Sequence, residues 1–96
     1  MSPIKQKKLN KLRGQLDKLD NSFIKLVKKR TQLVKKVLEL KDYKNQIVDK
    51  KRIRFILNQV RKKSLKNNID PKITLKIWKS MIWSYVDFQR RNFKRK

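Results

Sequence analysis

The sequence contains no cysteine, no histidine and no alanine, with one glycine and two prolines among its 96 residues. Without Cys or His there is no thiol chemistry, no His-based triad or acid–base pair, and no metal site of the usual kind. We therefore expect no cofactor and no metal. No apolar run approaches the roughly 18 residues that cross a bilayer. The opening MSPIKQKKLN lacks the apolar core of a secretory signal. These features read as a cytoplasmic chain without a membrane partner, folded as a single small domain over residues 1–96.

What is abundant is positive charge: 30 Lys and Arg against 7 acids, a formal net charge of +23. A surplus of this size suggests a nucleic-acid binder. Against that, the excess is mostly lysine and spreads over every segment instead of forming one block. The company of Asn and Ile and the lack of Ala also fit codon usage in an AT-rich genome. Nucleic-acid binding is therefore kept as the lesser reading, and the charge as a means of attracting small anions.

Residues 9–41 organise the rest. Leu9, Leu12, Leu16, Leu19, Phe23, Leu26, Leu33, Val37 and Leu40 recur at steps that are mostly three and four, the seam of a long amphipathic helix. One beat is missing, and Arg30 occupies it, with no acid one turn away. A guanidinium on an apolar face needs an anionic partner, so the gap marks a ligand site. A helix from about Lys5 to Lys41 or Asp42 would be on the order of 55 Å long, after a short tail over residues 1–4. That exceeds a compact globule of this size, so its seam calls for a second copy, most simply in a two-fold dimer. Gly14, costly inside a helix, either permits close helix approach or is tolerated drift.

Tyr43–Val48 reads as a loop. Asp49 caps a second helix over about 49–66, apolar at Ile53, Ile56, Leu57 and Val60. Asp70-Pro71 starts a third over about 70–93, apolar at Ile73, Ile77, Trp78, Met81, Ile82, Tyr85, Val86 and Phe88. The closing RRNFKRK (90–96) reads as a basic, frayed tail. The fold class is all-α, three helices in an intertwined homodimer.

Four polar residues stand out besides Arg30. Lys41, eleven positions on, lies within roughly 20° of it on a continuous helix and about 16 Å along it; it either helps clasp a dicarboxylate or is a solvated helix-end cation. Gln89 falls in line with Trp78, Ile82 and Tyr85. It is either a neutral donor on an apolar face or a boundary residue facing water. Arg13 is about 25 Å from Arg30 along the same helix, so it reaches that site only from an antiparallel partner. Arg52 offers another cation or is a surface arginine.

LRGQLDKLDNSFIKLVKKR (12–30), with Lys41, Asp49, Arg52, IDP (69–71) and a late Gln89, resembles the all-helical chorismate mutases. The likeness runs from about Leu9 to Gln89. It implies an intertwined homodimer with two active sites that convert chorismate to prephenate, in the route to phenylalanine and tyrosine. By position, Arg13 resembles the arginine that crosses into the partner's site, and Arg30 and Arg52 those that pair with the substrate's two carboxylates. Lys41 and Gln89 resemble the groups on the ether oxygen, and Asp49 the aspartate near the hydroxyl. Two positions depart. Ile53 stands where many members have a glutamate, and Tyr85 where serine is frequent. Both are similar to isochorismate pyruvate lyase, which forms salicylate and pyruvate and is kept as the alternative activity.

Overall fold

The structure is a computed structural model and describes residues 1–94. Three α-helices and one short 3-10 turn make up its regular structure: α1 (Pro3–Glu39), the turn Lys44–Gln46, α2 (Lys50–Lys66) and α3 (Pro71–Asn92). The expected all-α class with three helices holds, and no strand occurs among the described residues. None of these helices is long and apolar enough to cross a membrane. Arg95 and Lys96, from the expected frayed tail, lie outside the described residues; Arg90, Arg91 and Asn92 of that segment are helical.

The chain divides into two compact units, residues 1–33 and residues from Val34 onward. The first is helix throughout from Pro3. Its start comes earlier than the sequence suggests, because Ser2 and Pro3 repeat the cap-then-proline pattern of Asp70-Pro71. Ser2 Oγ accepts the Lys5 N–H at 3.2 Å, satisfying one of the N–H groups that a helix start leaves over. Along this unit Leu12, Leu16, Leu19, Phe23, Leu26 and Leu33 are each more than half exposed. A Cβ built on Gly14 meets nothing within 4 Å, so packing inside this chain does not require a glycine there.

The second unit has its own core. Leu38, Ile47 and Val86 are buried together, flanked by Val48 and Phe93. Helix α2 packs on α3, with Val60 and Ile82 also buried. The part of α1 in this unit buries Leu38 and half-buries Val34, whereas Val37 and Leu40 of the expected seam stay exposed. This stretch is apolar on two lines, and the chain uses only one of them for its own core. Ile73 and Ile77 on α3 are likewise exposed.

Local chemistry fixes the helix ends. Asp49 caps α2, its side chain accepting the Arg52 N–H at 3.0 Å. Asp70 caps α3 by accepting from the Lys72 N–H at 2.9 Å, with Pro71 beside it. Between them α2 closes with Asn68 at φ 57°, and the Ile69 N–H reaches back to the Ser64 carbonyl at 2.8 Å. Asparagine tolerates this left-handed conformation better than most residues. The buried Ser64 hydroxyl bonds both the Val60 carbonyl and the Thr74 hydroxyl, each at 2.6 Å, tying the α2–α3 connection together.

Candidate active site

Helix α1 stops at Glu39, two residues short of the expected Lys41. The Leu40 and Lys41 N–H groups bond the Val37 and Leu38 carbonyls, each at 3.1 Å, and this i to i−3 tightening ends the helix. Lys41 is therefore placed by the turn that follows and not by the helical period.

From that turn the Lys41 ammonium donates to Gln89 Oε1 at 2.8 Å and lies 3.5 Å from the Ile47 carbonyl oxygen. Both acceptors are neutral, so the ammonium keeps its charge available for an anion. Partial burial pushes its pKa below the ordinary lysine value; the Asp49 carboxylate opposes that shift without cancelling it.

Gln89 is buried, at 8% exposure, and so is not the boundary residue that periodicity alone allows. Its Nε2 donates to the Tyr85 carbonyl at 3.2 Å. One amide N–H is engaged there, Oε1 is engaged by Lys41, and a second N–H remains. Tyr85 is half-buried, with its ring edge-on to Phe88 at 6.4 Å between centroids.

Lys41 also lines an open cavity of about 560 Å³ together with Gln46, Val48, Asp49 and Lys50. Asp49 reaches this wall because it caps α2 from the adjoining loop. Arg52, the third residue of α2, is exposed, and its guanidinium lies over the Phe55 ring at 5.2 Å. Such stacking holds the planar cation while leaving its N–H edge open. Ile53 is half-buried beside it. Thus Lys41 and Gln89 are in direct contact, and Lys41 and Asp49 share a cavity wall. Arg52 and Ile53 lie on the first turn of α2.

Arg13 and Arg30 belong to residues 1–33. Arg13 is exposed; Arg30 is half-buried in a stretch whose other positions are mostly exposed. Three residues that sequence reasoning passed over also line the cavity, Gln46, Val48 and Lys50. The only signal for them was position: all three sit in or beside the loop between Lys41 and Asp49.

A cation held by a buried amide, beside a cavity with a carboxylate and a second cation on its wall, suits a small anionic ligand and needs no nucleophile. The chain matches the family described as chorismate mutase type II over residues 12–90. It is 34% identical over 76 residues to a protein named chorismate mutase from Methanocaldococcus jannaschii, a match spanning 78% of this chain and 77% of that relative. No solved structure gives a significant match. On the extent of these matches, the family model alone spanning every residue from Arg13 to Gln89 discussed above, the chain belongs to the type II chorismate mutase family.

Proposed function

We propose that this protein is a chorismate mutase, converting chorismate to prephenate by an intramolecular pericyclic rearrangement. The observation that carries the reading is the Lys41–Gln89 contact at 2.8 Å: a half-buried ammonium with neutral acceptors, fixed beside a cavity, in a chain of this family. The reaction transfers no proton and uses no covalent intermediate. Its rate then depends on two physical effects. One is holding the enolpyruvyl side chain over the ring in a reactive pose. The other is fixed positive charge and donors at the ether oxygen, where negative charge grows as the C–O bond breaks.

Lys41 supplies the charge, and the free N–H of Gln89 a second donor at the same oxygen. Arg30 and Arg52 bind the two carboxylates through forked hydrogen bonds. Asp49 accepts from the ring hydroxyl. Ile53 and Tyr85 form the apolar and aromatic wall. The working unit is a homodimer in which Arg13 enters the partner's site. What supports the dimer is the line of exposed large apolar residues from Leu12 to Leu33, which a soluble monomer rarely presents.

The test supplies purified protein with chorismate and, separately, isochorismate. Prephenate from chorismate is the expected product. Salicylate and pyruvate from isochorismate, with little prephenate, would assign the lyase activity instead.

A further inference from the structure

We infer that Gln46 is a positioning residue for Lys41, acting through the turn that joins α1 to α2; the inference rests on the mutase reading above. After α1 ends at Glu39, the Asp42 and Tyr43 N–H groups have left the helical ladder. Gln46 Oε1 accepts both, each at 2.8 Å. The Gln46 N–H in turn donates to the Tyr43 carbonyl at 3.0 Å. One residue thus closes the turn from both directions, with its side-chain oxygen and with its backbone N–H.

What the turn delivers is the next residue. Ile47 is the most buried apolar residue of the core, 3% exposed, packed with Leu38 and Val86. Its N–H bonds the Lys44 carbonyl at 3.2 Å, and its carbonyl oxygen lies 3.5 Å from Lys41 Nζ. Val86 is three residues before Gln89 on α3, and so on the same side of that helix. Lys41 is therefore held at two points, the Ile47 carbonyl and Gln89 Oε1, and the first of them is set by how the 42–46 turn closes. Removing the Gln46 acceptor takes away its bonds to the Asp42 and Tyr43 N–H groups, and the turn reopens. The ammonium then loses its fixed place at the reacting oxygen while the carboxylate-binding arginines are untouched. Displacements near 1 Å at a reacting group cost up to about 10²-fold in rate.

Gln46→Met keeps the length and removes the acceptor. Gln46→Glu restores it, with a charge that Lys41 and Lys50 on the same wall offset. The measurement is steady-state kcat and KM on chorismate, with the melting temperature and the amide exchange of Asp42 and Tyr43. We expect Gln46→Met to lose roughly 10- to 100-fold in kcat with KM changed less than threefold, and both amides to lose protection. Gln46→Glu should recover most of kcat, with KM raised by repulsion of the dianion. A purely structural Gln46 would lower the melting temperature and leave kcat of the folded protein within twofold, which would overturn the inference. A kcat loss that Gln46→Glu fails to restore would overturn it as well. If Gln46→Met does not fold, Gln46→Asn, whose shorter arm withdraws the oxygen, runs the same comparison. Wild-type protein without turnover of chorismate would sink the mutase reading; an active wild type with an unimpaired Gln46→Met sinks this inference alone.

Discussion

Residues 1–33 and residues 34–94 solve the same problem in opposite ways. Both are built from amphipathic helix rich in lysine. The second unit closes its apolar side on itself, with Ile47 at 3% and Val86 at 4% exposure. The first contains no buried residue, and its Leu19 and Phe23 are 66% and 51% exposed. An isolated helix gains little from propensity alone, so order in the first region has to come from burying that line. On the proposed reading both regions contribute side chains to the site, and only the first presents an uncovered apolar face to a second copy. The core-bearing region holds Lys41, Asp49, Arg52 and Gln89, and the uncovered region carries Arg13 and Arg30.

Substitutions at Lys41, on the two apolar faces and at the caps, together with one titration, sharpen or break this contrast. The largest effect is expected at Lys41. Lys41→Ala should lower kcat by about 10²–10³-fold, equivalent to about 2.7–4 kcal/mol of barrier, with unchanged circular dichroism and oligomeric state. Lys41→Glu, which reverses the charge at the ether oxygen, should lose more. A folded Lys41→Ala enzyme with full turnover contradicts the assignment.

Next come the apolar residues, where the two regions should respond differently. Ile82→Ala, in the core, should cost about 2–5 kcal/mol, read as a lower melting temperature. Leu19→Asp with Phe23→Asp should leave the second unit helical but make both activity and sedimentation those of a monomer. A double variant that remains dimeric and active shows that the seam is not the interface.

Smaller effects are expected at the caps. Asp70→Ala removes the acceptor of the Lys72 N–H and should cost about 1 kcal/mol, read in urea unfolding. Asn68→Val places a β-branched residue at φ 57° and should cost about 1–2 kcal/mol, whereas Asn68→Gly should be neutral or slightly stabilising.

The mildest effect concerns pH. Because Lys41 is depressed below its unfolded value by burial, the unfolded chain binds more protons between the folded and unfolded pKa values. Its contribution to stability therefore rises with pH across that window, while the fraction of charged Lys41, and with it kcat, falls as pH passes upward through the folded pKa. In Lys41→Met both dependences should flatten at alkaline pH.

Much of this was legible in the sequence. The three-and-four seam gave α1. Asp49 and Asp70-Pro71 gave the starts of α2 and α3 within a residue, because capping is local chemistry that a few side chains decide. The end of α1 was less legible, since no glycine or proline marks it and Gln46 closes the turn from outside the helix. The Lys41–Gln89 contact joins residues 48 positions apart, and no helical period reports on such a pair. Each was marked singly as a polar residue out of place, and only the fold brings them together. The resemblance to a family supplied the roles; periodicity supplied the suspicion that Arg30 interrupts a seam.

The most direct test of the divided site is complementation between two variants. Arg13→Ala and Lys41→Ala are purified separately, each with little activity, then mixed, partly unfolded, refolded together and assayed on chorismate. If Arg13 acts in the partner's site, each mixed dimer holds one intact site, and random pairing should return about a quarter of wild-type activity. If the mixture stays as inactive as its components although mixed dimers have formed, Arg13 and Lys41 do not meet across two chains, and the account of a site shared between copies is wrong.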